Sequence, residues 1–158
     1  MKFNIALRNL LIVLFGALVL SACSTAKKKG ELTGDVYTGT ETIEYLAKGV
    51  PDRVFFATNK SSLTTAARDT LRKQSTWLRK NKDITVTVEG HADERGTREY
   101  NLALGERRAN AAKDYLMTYG ISGKRISVIS YGKEKPVNPA SNPLAWSQNR
   151  RSVTVKTN

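Results

Sequence analysis

Apolar residues follow three rhythms along this chain, and the architecture should change where the rhythm does. Residues 10–20 (LLIVLFGALVL) form an unbroken apolar run. Residues 24–42 are polar, contain Gly and Thr, and show no apolar periodicity, which predicts a flexible tether. From about Tyr45 onward, short periodic segments alternate. Residues 53–56 (RVFF) predict a strand, and residues 58–62 a turn. Residues 63–80 predict a helix whose inner stripe is Leu63, Ala67, Leu71 and Leu78. In residues 84–89 (ITVTVE), Ile84, Val86 and Val88 alternate with threonines, as in a half-buried strand that Gly90 ends. A loop over 91–98 leads to a second helix over about 99–119, stopped by Gly120. Residues 126–131 (ISVISY) predict a third strand, and a loop with Pro136, Pro139 and Pro143 precedes a last strand at 152–156. The order is βαβαββ, an α+β fold with a mixed sheet and its helices packed on one face.

The apolar run near the start reads as part of an export signal. Lys2 and Arg8 precede it, and Leu20-Ser21-Ala22-Cys23 follows it. Eleven apolar residues span about 16 Å as a helix, short of a ~30 Å hydrocarbon core. Leu, two small residues and a Cys at those positions predict a lipobox, with residues 1–22 removed as a signal peptide and Cys23 lipidated. Residues 23–44 are then the lipidated N-terminus and tether, and residues 45–158 one small domain. Acyl chains on Cys23 would hold the chain durably at a membrane surface.

Charge changes the picture less than its size suggests. The formal net charge of +12 falls to +10 once Lys2 and Arg8 are removed. Such a balance ordinarily raises nucleic acid as a partner. Export argues against it, and anionic envelope polymers or lipid headgroups fit better. Cys23 is the sole cysteine and His91 the sole histidine, so neither a disulfide within the chain nor a zinc set is expected. No cofactor is implied. Glu94 and Arg95 beside Asp93 do not make a hydrolytic carboxylate pair, because sequence neighbours face different ways and no nucleophile is there to activate. The chain is expected not to be an enzyme.

The chemistry lies on the second helix. At 100° per residue, Asn101, Leu104, Arg108, Ala111, Ala112 and Tyr115 share one stripe. Arg108 therefore sits among apolar neighbours with no acid three or four positions away. A partly buried, unpaired guanidinium is costly and calls for an acid from elsewhere in the fold or for a ligand carboxylate. Asp93, in the loop just ahead, is the nearest mobile acid. Either Asp93 and Arg108 pair to close the loop onto the helix, or they bracket a zwitterion, Asp93 taking an ammonium and Arg108 a carboxylate. Residue types alone leave both open.

The segments Gly90-His91-Ala92-Asp93-Glu94-Arg95-Gly96 and residues 100–109 (YNLALGERRA) resemble the peptidoglycan-binding motif of OmpA-like domains, and more closely that of the peptidoglycan-associated lipoproteins. Residues 125–136 and Gln148-Asn149-Arg150-Arg151 are similar to the same family. The resemblance implies that Asp93 and Arg108 hold the meso-diaminopimelate of a peptidoglycan stem and that Asn101 supports the contact. It also implies a contribution from the turn after the first strand, where an acid commonly follows the Phe. Here Ala57 stands at that place, leaving Thr58 and Asn59 to offer backbone or side-chain groups. The resemblance further implies an outer-membrane lipoprotein facing the periplasm, with Ser24 after the Cys in keeping with that address. It implies membership of the Tol-Pal system, the TolB protein as partner, and a role in outer-membrane constriction at division. The alternative is a basic, lipid-anchored scaffold with no specific stem-peptide pocket.

Overall fold

The structure, a computed structural model, describes residues 32–157. The expected signal peptide, Cys23 and the first part of the expected tether lie outside the described residues. Four strands form the main sheet: β5 (Arg53–Phe55), β6 (Val86–His91), β7 (Ile126–Gly132) and β8 (Arg151–Lys156). Their order is β5-β8-β6-β7. β8 runs antiparallel to both β5 and β6, and β7 runs parallel to β6. The last strand of the chain is therefore interior, paired through Val153 with Arg53 on one side and Glu89 on the other.

Helix α1 (Thr65–Lys80) begins where Thr64 Oγ1 accepts the Ala67 N–H at 3.1 Å. Ala67, Leu71, Gln74, Ser75 and Leu78 are its buried stripe. Leu63 falls before the helix, yet packs against the same core. Helix α2 (Arg98–Thr118) is capped by Thr97, whose hydroxyl accepts the Tyr100 N–H at 3.2 Å. Ala67, Leu71 and Leu78 meet Ala109, Ala112 and Leu116 over Val54, Phe56, Val86, Val88 and Ile126, which joins both helices to one face of the sheet. The expected α+β order and one-sided helix layer are present.

α2 lies unusually close to β6. A Cβ on Gly90 would sit 1.8 Å from the Gly105 carbonyl oxygen, and one on Gly105 would sit 2.4 Å from Ser130 Oγ. Gly90 does not end its strand: pairing continues to His91, with a register shift between the two residues.

Two expectations need correction. The Pro-rich loop contains a short helix, α3 (Pro143–Asn149), started by Asn142 Oδ1 accepting the Ala145 N–H and by Pro at its first position. The polar segment before Tyr45 is also not all tether. A small hairpin of β1 (Leu32–Thr33) and β2 (Val36–Tyr37) turns at Gly34, with φ +67°. The Tyr37 ring is buried and meets Phe55 edge-on, centroids 4.8 Å apart. One aromatic side chain is enough to fix this stretch against the domain. A second hairpin, β3 (Tyr45–Ala47) with β4 (Val50–Pro51), leads into β5. No described helix is long and apolar enough to cross a membrane.

Candidate functional site

Arg108 is where its helical position puts it, on the inner face of α2 and 0% exposed. Asp93, its expected partner within the fold, does not pair with it, and main-chain carbonyls take that place. Nε donates to the Lys60 carbonyl at 2.9 Å, Nη1 to the His91 carbonyl at 2.8 Å and Nη2 to the Ala57 carbonyl at 3.1 Å. The guanidinium also faces the Phe56 ring at 5.3 Å. Three main-chain carbonyls thus accept from three of its five N–H groups, and it ties the turn after β5 to the end of β6. Carbonyls satisfy hydrogen bonds without cancelling the charge. Burial, followed by the charge of Arg150, pushes the group down to about 10, while Asp93 pulls it the other way.

Asp93 and Arg108 make no ion pair. The partners of Asp93 are Arg95, whose Nε and Nη2 donate at 3.1 and 2.8 Å and whose backbone N–H donates at 3.1 Å, and Arg150, whose Nη1 donates at 3.2 Å. Burial alone would raise its carboxyl. The Arg95 and Arg150 bonds outweigh that, and it stays below the usual carboxylate range. An anion pinned this way is a poor base.

Arg150 is the residue that sequence reasoning missed. It sits in the turn between α3 and β8, 3% exposed, and donates to the Phe56 carbonyl at 3.1 Å, to Asp93, and to the carbonyl of Asp35 in the β1–β2 turn. Arg95 stacks 4.4 Å over the Trp146 ring, and Trp146 Nε1 donates to Glu94 at 2.8 Å. Two of the supporting residues, Asn101 and Thr58, contact Arg95. Asn101 is buried and donates to the Arg95 carbonyl at 2.9 Å, which fixes the loop. Thr58 Oγ1 accepts from Arg95 at 3.4 Å, and the Thr58 N–H points outward to the Asp35 carboxylate at 2.6 Å. Asn59 holds a left-handed φ of +55° in the turn, a conformation Asn tolerates better than most residues.

The family model that matches the chain is that of the OmpA family, over residues 55–150. A peptidoglycan-associated lipoprotein of Rhizobium meliloti is 45% identical, over 96% of this chain and 89% of the relative. One from Pasteurella multocida is 37% identical, over 93% and 96%. The chain belongs to the OmpA family, among its peptidoglycan-associated lipoproteins. A crystal structure of the peptidoglycan-associated lipoprotein from Burkholderia pseudomallei superposes with a TM-score of 0.65 at 34% identity, covering 67% of this chain and 90% of that one. The C-terminal domain of Helicobacter pylori MotB gives 0.63 at 19% identity, a likeness of fold alone.

As a member of the OmpA family, the chain brings both segments of the recognised motif together around Asp93 and Arg95. The loop after β6 supplies Asp93 and Arg95, α2 supplies Asn101 and Arg108, and the turn after β5 supplies Thr58. Arg150, from the Gln148–Arg151 stretch, completes the group. The signal for Arg150 lay in that stretch, but nothing there distinguishes it from Arg151, which points elsewhere and donates to the Lys135 carbonyl at 3.2 Å. Among the described residues, no group of three or more His, Cys, Asp or Glu is placed to hold a metal ion.

Proposed function

We propose that this protein binds peptidoglycan non-covalently through the cleft around Asp93 and links the cell wall to the outer membrane through lipid on Cys23. The observation that carries the reading is a charge imbalance. Arg95 and Arg150 are bonded to Asp93, and Asp35 and Glu94 also act on Arg95, whereas the buried Arg108 beside them is bonded only to main-chain carbonyls. Arg108 has bonds but no counter-charge. A zwitterionic end such as meso-diaminopimelate fits: its ammonium goes to Asp93, and its carboxylate to the guanidiniums and the Thr58 N–H. Arg108 acts from beneath, by charge and by fixing the turn, with Asn101 and Asn59 shaping the rim. Repeated stems in the polymer raise the effective affinity of a weak single contact. Family membership supports the wider role, in which the domain faces the periplasm, works with TolB in the Tol-Pal system and serves outer-membrane constriction at division.

The test is co-sedimentation with purified sacculi. Asn at position 93 can still accept from Arg95 and Arg150, so Asp93→Asn should stay folded and lose most binding. Wild-type-like binding by that variant would remove the site. A salt series addresses the basic scaffold, since attraction without a pocket collapses with ionic strength whereas pocket binding survives in part. Steady release of muropeptides from the sacculi would replace the reading with a hydrolase. For the lipid link, Cys23→Ser should abolish incorporation of labelled palmitate, and continued labelling would reject it.

A further inference from the structure

The chain's own N-terminal hairpin contacts the turn that follows β5. Asp35, in the turn of the β1–β2 hairpin, presents its carboxylate to the Thr58 N–H at 2.6 Å, while its carbonyl accepts from Arg150. We propose that Asp35 occupies the place of the ligand carboxylate in the free protein, so that the hairpin is a strap which a stem peptide must displace. The inference rests on the stem-peptide reading of the cleft.

Three observations carry it. The first is chemical: a carboxylate on an exposed main-chain N–H, beside Arg150 and Arg95, is the contact an anionic ligand group would make there. The Thr58 backbone and side-chain bonds, together with the charge of Arg150, hold the Asp35 carboxyl below its ordinary value, so it is an anion throughout the neutral range. The second is electrostatic. With the strap lifted, one carboxylate leaves the neighbourhood of Arg95 and Arg150, and the site favours an incoming anion more strongly.

The third is structural. β1 and β2 are two residues each and belong to no larger sheet. A two-stranded hairpin of that size is marginal by itself. Tyr37 pins its far end on Phe55, and Asp35 lies only two residues away in the turn. The turn can therefore leave while the pin stays, and a held but weakly supported occupant can be exchanged. The hairpin is also the described structure nearest to Cys23. Asp35 lies twelve positions after Cys23, at most about 41 Å of extended chain. A pull from the membrane side reaches the strap before it reaches the sheet and favours the open cleft.

The experiment uses the full lipidated chain in detergent and a synthetic L-Ala-D-Glu-meso-diaminopimelate tripeptide, titrated by calorimetry. Asp35→Asn keeps a residue suited to the turn and removes the charge. It should tighten binding about fivefold, as expected if the wild-type cleft is open about one fifth of the time. Asp93→Asn should lose binding whether or not Asp35 is changed. If Asp35→Asn binds as wild type or more weakly while Asp93→Asn still loses binding, the strap is wrong and the cleft reading stands. If Asp93→Asn binds normally, the cleft reading fails and the strap with it. A second measurement needs no binding: the Thr58 amide resonance should shift in free Asp35→Asn, and an unmoved resonance would overturn the contact.

Discussion

Replacing Arg108 separates a buried charge that the fold merely tolerates from one that the fold uses. If the guanidinium were only a desolvated charge, Arg108→Met would relieve it and leave the domain as stable or more so. The geometry gives the opposite expectation. The bond to the His91 carbonyl at 2.8 Å is fully buried, so losing it exposes the acceptor to its whole desolvation cost, about 1 to 3 kcal/mol. The bonds to Ala57 and Lys60 are only part-buried, and the Ala57 carbonyl keeps the Lys60 N–H at 3.2 Å. Water can replace much of what they lose, so together they add about 1 kcal/mol. Arg108→Met should therefore destabilise by about 2 to 4 kcal/mol. Arg108→Lys should fall between, because one ammonium cannot reach three carbonyls held on three sides of a planar fork.

The assay is urea unfolding. With a slope of about 2 kcal/mol per molar, the Met variant should lose roughly 1 to 2 M in midpoint. A midpoint for Met at or above wild type would refute the clamp. Arg108 would then be a charge kept for the ligand alone, with its carbonyl bonds incidental.

Other positions give independent checks. His91 is 1% exposed, and burial, then the charges of Arg151, Lys135 and Arg53, push its imidazole from 6.5 down to about 3. The unfolded chain takes up a proton that the folded one refuses, so stability is complete above about pH 6.5 and falls with pH towards 3, by about 3 kcal/mol at pH 4. His91→Gln should flatten denaturant midpoints across that window, and an unchanged slope would locate the acid sensitivity elsewhere. Gly90→Ala would push a methyl to 1.8 Å from the Gly105 carbonyl, so α2 must lift from β6 at a cost of about 3 kcal/mol or more, read as a lowered thermal midpoint. Thr97→Ala removes the cap on the Tyr100 N–H and should cost about 1 kcal/mol in urea unfolding, with the α2 signal otherwise intact.

What could be read from the sequence was what repeats locally. The 3.6-residue stripe placed Arg108 inside, and Asn101, Leu104 and Ala112 are buried beside it. Strand alternation located β6, β7 and β8, but alternation is the same for an edge strand and an interior one, so the position of β8 between β5 and β6 was hidden. α3 did carry a cue, Asn142 followed by Pro143, which is short and sits among other prolines. The partners of Arg108 were beyond reach for a different reason. They are carbonyls of residues 57, 60 and 91, and every residue has a carbonyl, so no residue type announces one. Arg150 meets Asp93 across 57 positions of chain, a distance over which composition says nothing.

The carbonyl clamp changes how the site must be interrogated. A guanidinium that both supports the turn under a ligand and supplies charge to it cannot be removed without altering fold and affinity together, so loss of binding in an Arg108 variant does not by itself show contact. Asp93 and Asp35 are better placed to separate the two. Each has an amide isostere, Asp93 buried against Arg95 and Arg150 and Asp35 exposed in its turn, and on the proposed reading they should act in opposite senses, Asp93 by receiving the ligand and Asp35 by standing in for it. The same imbalance explains both signs. A floor of fixed positive charge attracts any carboxylate within reach, whether it comes from the wall or from the chain's own N-terminal segment.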